Sequence, residues 1–162
     1  MPRRRLFSII RSLQRVAREK TVQHLTSQSD ERFLTALEDG QFPVADFDHR
    51  AHLRLAYIYL VKDSPPEQSV RRMKATLIHL LERAGIDPVE KYHETLTTAW
   101  ILAVRHFMNK TSESESADTF IERNPIMLDS KIMLTHYSTE LLFSPQARVR
   151  FVEPNLDPIP RH

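Results

Sequence analysis

The sequence contains no cysteine and only two glycines, and each shortage excludes classes of function. Without cysteine the chain forms no disulfide, no thiolate–zinc or iron–sulfur centre and no cysteine nucleophile. Gly40 and Gly85 are too few and too far apart for a P-loop or a GxGxxG dinucleotide fingerprint. No stretch approaches the roughly 18 uncharged apolar residues that a membrane-spanning helix needs. The remaining composition is that of a globular chain of 162 residues.

The positive charge is concentrated in an N-terminal arm. Residues 1–20 hold seven basic residues and one acidic residue, a net charge of +6, whereas the rest of the chain carries −4. The body is therefore not expected to bind nucleic acid through a broad basic face. Apolar residues recur at helical spacing from Leu6 to Ala17, which predicts a basic amphipathic helix. We expect two parts, the arm over 1–28 and a single helical domain over 29–162.

Three interpretations fit this arm. A basic amphipathic helix can dock on the body through its apolar stripe. It can instead lie on a membrane surface or a partner, here through residues 1–20. It can also be a cleaved organellar presequence, since those are rich in arginine and serine and poor in acidic residues. The expected localisation is intracellular and soluble, with organellar targeting or peripheral membrane association as alternatives.

Capping and stop signals divide the body into short helices. The predicted segments are a helix from Ser29 or Asp30 to Glu38, one from Asp46 or Asp48 to about Val61, one capped by Ser64 that ends at Ala84, one over 91–109, one over 117–123, one from about Asp129 to Tyr137, and helical turns near 138–148. No stretch alternates at period two for long enough to build a sheet. The sequence therefore predicts an all-α fold, an irregular helical bundle with a proline-rich C-terminal tail.

Three of the eight histidines lie on faces that their helices turn toward the core. On a helical wheel, His49 and His52 fall on or beside the apolar stripe of the first long helix, one turn apart. His93 shares a stripe with Trp100 on the 91–109 helix. His79, in contrast, lies opposite the apolar face of its helix and is expected in solvent.

Topology is expected to bring these inward histidines together. Short linkers make the three long helices antiparallel neighbours, so the first and third begin at the same end of the bundle. His49 and His52 then lie near His93 and Glu94. Two interpretations follow. The imidazoles bind a divalent transition metal, zinc or iron, or they form a buried hydrogen-bond network with nearby tyrosines and aspartates.

The metal hypothesis gives each residue a role. The ligands are His49, His52 and His93, and Glu94 is either a fourth ligand or the base that acts on bound water. The motif HETLT resembles the zincin HExxH, but Thr97 stands where the second zinc ligand belongs, so a zincin is not expected. His136 is a further candidate ligand whose helix the sequence does not place.

Arg50 and Arg54 lie one turn apart beside the histidines. As a pair they can clamp a carboxylate or phosphate, so Arg54 is the predicted residue that orients a small anionic substrate. The alternative is a solvated face, or ion pairs with residues such as Asp46 and Glu94.

Two functions therefore stay open from the sequence. The first is a metal-binding helical protein, or a metal-dependent enzyme that acts on a small anionic molecule through its histidines. The second is a non-catalytic helical interaction module with structural buried histidines and an arm that binds a membrane or a partner.

Three blocks of the sequence resemble one family. FDHRAHLRLA over 47–56, KYHETLT over 91–97 and THYS over 135–138 are similar to a family of small helical proteins marked by FxHxxHLRxA and KYHETLT blocks. The resemblance covers about 30–157 and leaves out the basic arm. It implies that the blocks belong to one fold, and it implies no reaction, because no activity is established for that family.

Overall fold

A computed structural model of the chain describes residues 23–161, and within them the fold is all-α. Eight α-helices and three short 3₁₀-helices form the described part of the chain, which contains no strand. The predicted fold class is thus confirmed. The predicted helix of the N-terminal arm lies outside the described residues. No helix between residues 23 and 161 is both long and apolar enough to cross a membrane.

The elements are numbered in chain order. The α-helices are α1 (Gln28–Glu38), α2 (His49–Lys62), α3 (Pro66–Arg83), α4 (Pro88–Lys91), α5 (Glu94–Lys110), α6 (Ala117–Arg123), α7 (Thr139–Leu142) and α8 (Pro145–Val149). The 3₁₀-helices are Val44–Asp46, Pro125–Leu128 and Ser130–Thr135. The long helices α2, α3 and α5 each pack against the other two, and α1 and α6 add to the sides of α2.

Capping side chains set where the first two helices begin. Asp48 caps α2 by accepting a hydrogen bond from the Ala51 backbone N–H, as the sequence predicts. The cap of α1 is Ser27 rather than Ser29 or Asp30. Asp30 is instead the third helical residue and returns a hydrogen bond to the Ser27 backbone N–H, which completes a capping box.

The ends of the helices follow the glycine signals. Gly40 has a φ of +69°, a left-handed conformation that residues with a Cβ rarely adopt, so glycine is favoured after α1. Gly85 has a φ of +72° and follows α3. The start of α3 differs from the prediction, because Pro65 and not Ser64 occupies the cap position, with no side-chain hydrogen bond.

The predicted 91–109 helix is divided at its start. The short helix α4 ends at Lys91, and α5 begins at Glu94 with His93 as its N-cap. The ring of His93 replaces the serine, threonine or aspartate that usually caps a helix, and its Nδ1 accepts a hydrogen bond from the Leu96 backbone N–H. Wheel geometry placed this ring correctly on the inner side, but it missed the cap.

Both ends of the described chain are anchored to the bundle. Residues 24–27, which the sequence assigns to the arm, lie against α2 and α5: His24 is buried and its Nε2 donates to the Met108 carbonyl. The C-terminal tail is irregular from residue 151 onward and buries Val152 and Ile159. The Tyr137 hydroxyl donates to the Val152 carbonyl and fastens the tail.

A buried carboxylate joins three helices. Asp30 has no exposed surface. Its Oδ2 accepts from the backbone N–H of Ser27 and of Ala117, the first residue of α6, and its Oδ1 accepts from the Arg54 guanidinium on α2 at 2.9 Å. Burial raises the pKa of this carboxyl, but the hydrogen bonds from Ser27, Ala117 and Arg54 outweigh burial and hold the pKa below its usual value. Asp30 is therefore ionised and fully paired in the fold.

We expect Asp30→Ala to lower the free energy of unfolding by roughly 3–5 kcal/mol, the usual cost of removing one partner of a buried ion pair. Urea denaturation followed by circular dichroism measures this loss. Asp118→Ala is the matched control. Asp118 pairs with Arg50, which like Arg54 belongs to α2, but both side chains of this pair are about half exposed. The loss of unfolding free energy in this variant should therefore stay below about 1 kcal/mol. Equal losses of unfolding free energy in the two variants would contradict the interpretation that Asp30 is the buried partner of an ion pair.

Candidate functional site

A pocket of about 490 Å³ opens at one end of the bundle. Its walls come from the first turns of α2 and α5, the last turns of α3, and the segment that runs from Ser130 to Phe143. This arrangement is what an antiparallel order of α2, α3 and α5 produces. Pockets that bind small molecules have volumes of about 300–1,000 Å³, so this one is large enough for a ligand.

The pocket lining is mostly apolar. Its apolar members are Val44, Phe47, Leu77, Leu80, Leu81, Leu96, Trp100, Met133, Leu134, Leu142 and Phe143. Phe143 and Leu134 are exposed and lie at the rim, whereas Met133 and Leu142 are buried. The pocket thus combines an apolar interior with an apolar edge in contact with solvent.

The three histidines predicted as ligands, His49, His52 and His93, all line this pocket. They do not form a ligand set, however. Within residues 23–161 no group of three or more histidine, aspartate or glutamate side chains is arranged to hold a metal ion. The zinc or iron site stays a prediction.

His93 uses both ring nitrogens inside the protein. While Nδ1 caps α5, Nε2 donates to the Leu142 carbonyl at 2.8 Å and holds α7 against the bundle. Burial lowers the pKa of His93, and the positive charge of Arg148 adds to the effect. The neutral ring is the form that caps a helix through one nitrogen and donates through the other. A metal ion would have to displace one of these two hydrogen bonds.

His49 makes a similar tie with one nitrogen. Its Nε2 donates to the Met127 carbonyl at 2.8 Å, which joins the start of α2 to the 3₁₀-helix Pro125–Leu128. The ring also packs edge-on against Trp100, with 4.7 Å between the centroids. Both contacts fit the structural interpretation, in which a buried histidine belongs to a hydrogen-bond network.

His52 differs from the other two. Neither of its ring nitrogens hydrogen bonds to another residue of the described chain, and the ring packs against Phe47 at 4.9 Å between centroids. Burial lowers the pKa of His52 to about 4, and the neighbouring His49 contributes. This imidazole is therefore neutral at pH 7 and offers the pocket one donor and one acceptor.

The charged residues of the lining are all basic. Lys91, from α4, and Lys131, from the 3₁₀-helix Ser130–Thr135, border the pocket, and both are exposed. No aspartate or glutamate of the described part of the chain lines it. The Tyr92 hydroxyl is buried there close to Thr97 and Glu94, and burial raises its pKa. Together these groups favour an anion over a cation.

The other predicted site residues lie outside this pocket. Glu94 forms an ion pair with Lys74 at 2.7 Å. Arg54 is held by Asp30 and lies over the Phe33 ring, 4.6 Å from its centroid. His136 borders a second, smaller pocket, where its Nδ1 donates to the Asp157 carbonyl. None of these three side chains is part of the lining that the histidines share.

The sequence predicts a helix from about Asp129 to Tyr137 in the segment that forms a further wall of the pocket, but its type and its bounds differ in the structure. The segment from Ser130 to Thr135 is a 3₁₀-helix, so its side chains do not follow the 3.6-residue period that identifies a buried helical face. Lys131, Met133 and Leu134 reach the pocket through contacts distant in sequence. The exposed His79, in contrast, confirms the wheel prediction for α3.

We expect acid to destabilise the fold through His52. The pKa of a histidine is about 6.5 in an unfolded chain but about 4 at this position in the folded state. The stabilising contribution is complete above pH 6.5 and is lost as the pH falls from 6.5 to 4, up to about 3 kcal/mol. The urea midpoint of His52→Leu should fall less over this range than that of the unmodified protein.

His79→Leu is the matched control, because His79 is exposed. This variant should keep the pH dependence of the unmodified protein. An unchanged pH dependence in His52→Leu would show that the ring is not held neutral in the pocket.

Comparisons with protein family models, curated proteins and solved structures find no match to this chain. The ligand of this pocket must therefore be inferred from the side chains that line it.

Proposed function

We propose that this chain binds a small amphipathic anion, such as an aliphatic or aromatic carboxylate, in the pocket at the end of α2 and α5. The observation that carries the proposal is the lining itself, which is apolar in its interior and basic wherever it is charged. The proposal keeps the small anionic molecule expected from the sequence, but places it among different residues.

The apolar interior supplies most of the affinity. Burying a methylene group contributes about 0.8 kcal/mol, so roughly ten methylenes seated against Leu77, Leu96 and Trp100 would supply the ~8 kcal/mol of micromolar binding before the cost of association. These side chains belong to two long helices that are packed on each other, so the cavity exists before a ligand arrives. A preformed cavity avoids the cost of ordering its walls.

The polar groups supply the preference for an anion. Lys91 and Lys131 are exposed at the border, and each can form a charge-assisted hydrogen bond to a carboxylate or phosphate. The His52 ring lies on the same lining and carries a hydrogen-bond donor. A neutral imidazole that faces the pocket can donate to a ligand that accepts hydrogen bonds.

We expect 8-anilinonaphthalene-1-sulfonate to bind the full chain with enhanced fluorescence, and decanoate to displace it. Decanol, which has the same tail without the charge, should compete more weakly. The double variant Lys91→Gln/Lys131→Gln should weaken decanoate binding by about tenfold, equivalent to about 1.4 kcal/mol. Lys62→Gln/Lys110→Gln removes the same charge from two exposed lysines away from the pocket, and should leave the affinity within about twofold.

A pocket-filling variant separates this site from other surfaces, including the basic N-terminal residues. Leu96→Trp places a large side chain in the cavity and should abolish decanoate binding while the helical circular dichroism spectrum is kept. Binding that survives this substitution would overturn the proposal. The same titrations with Zn²⁺ or Fe²⁺ alone test the metal hypothesis, which requires metal binding that His49→Ala and His93→Ala both remove.

A further inference from the structure

A second cavity of about 220 Å³ lies next to the first. Its lining is apolar or aromatic, with no lysine, arginine, aspartate or glutamate of the described chain among its members. The lining residues are Trp100, Ala103, His106, Phe107, Ile132, Met133, His136, Pro158, Ile159 and Pro160. The C-terminal tail covers this cavity on one side.

One face of α5 borders the two cavities in succession. His93, Leu96, Thr97 and Trp100 line the first, and Trp100, Ala103, His106 and Phe107 line the second. These positions follow the 3, 4, 7 spacing of a single helical stripe. At 1.5 Å per residue the stripe is about 20 Å long. The two cavities are thus neighbours along one helix and not separate indentations.

Among residues 23–161, the two linings share the side chains of Trp100 and Met133. Met133 projects from the 3₁₀-helix Ser130–Thr135 and is 1% exposed. Methionine is unbranched and has three rotatable side-chain bonds, so it changes rotamer at little cost. Trp100 is held by the edge-on contact with His49. We call Trp100 and Met133 the partition between the two cavities, and of these two side chains Met133 is the one that can change rotamer more readily.

We infer that the ligand is a single-chain lipid anion, with its charged group at Lys91 and Lys131 and its tail passing Met133 into the second cavity. This inference rests on the proposed function and adds the length and direction of the ligand. The basic residues belong to the first cavity alone, and the second has no charged lining, so only a long tail uses both.

The dimensions agree with such a tail. One leaflet of a bilayer's hydrocarbon core, which is made of acyl chains of 16 to 18 carbons, is about 15 Å thick. The α5 stripe, at about 20 Å, accommodates a chain of that length together with its carboxylate. A chain of eight carbons needs only the first cavity.

The test compares octanoate with hexadecanoate, each below its aggregation limit, as competitors of 8-anilinonaphthalene-1-sulfonate. In the unmodified protein we expect affinity to rise with chain length, by up to about fourfold for each methylene that becomes buried. Ala103→Phe fills the second cavity and leaves the first untouched. It should weaken hexadecanoate by at least about tenfold and leave octanoate within about twofold.

Met133→Ala should have the opposite effect, because it opens the partition. The ratio of hexadecanoate to octanoate affinity should rise by about tenfold. Met73→Ala is the matched control, because Met73 is also buried but lines neither cavity. This variant should lose a similar amount of stability and keep the ratio of hexadecanoate to octanoate affinity of the unmodified protein.

The outcomes separate the proposed anion pocket from the inference that a long tail enters the second cavity. If octanoate binds but Ala103→Phe weakens both acids equally or neither, the single-chain inference is wrong and the anion pocket stands. If neither acid binds, both are wrong. If the ratio of hexadecanoate to octanoate affinity is the same in Met133→Ala as in Met73→Ala, the role given to Met133 between the two cavities is also wrong.

Discussion

The carboxylate of Asp30 is the interaction on which the arrangement of the bundle depends. It completes the first turn of α1, receives the Arg54 guanidinium from α2, and accepts the first N–H of α6, 87 residues away in sequence. A buried charge that lost these donors would be strongly unfavourable, so α1 and α6 must begin, and Arg54 of α2 must lie, where the carboxylate can reach them. With α2 fixed in this way, the first turn that carries His49 and His52 faces the start of α5.

The fold was largely predictable because its helices carry local signals. Asp48, Gly40 and Gly85 mark helix ends through capping chemistry and positive φ angles, which depend only on neighbouring residues. The division of the predicted 91–109 helix arose where a distant partner changed the local choice. His93 becomes an N-cap because its other nitrogen reaches Leu142, 49 residues away, and no local pattern encodes that contact.

The site was predictable only in part for the same reason. Helical periodicity identified His49, His52 and His93 as inward residues, and all three border one pocket. The same reasoning selected Arg54 for its spacing, whereas its buried partner Asp30 lies on another helix. Lys131 and Met133 were missed because a 3₁₀-helix has no amphipathic period of 3.6 residues. The spacing of residues shows which side chains face inward, but not what they meet there.

The two histidine ties reach backbone carbonyls, those of Met127 and Leu142, and not side chains. A carbonyl is present whatever residue occupies the position, so the attachment of the wall does not constrain the side chains that the wall presents. Leu142 illustrates this, since its carbonyl holds α7 while its side chain borders the cavity. Related sequences can therefore change the shape of the cavity at this position while retaining the same scaffold, and ligand preference can diverge without a new fold.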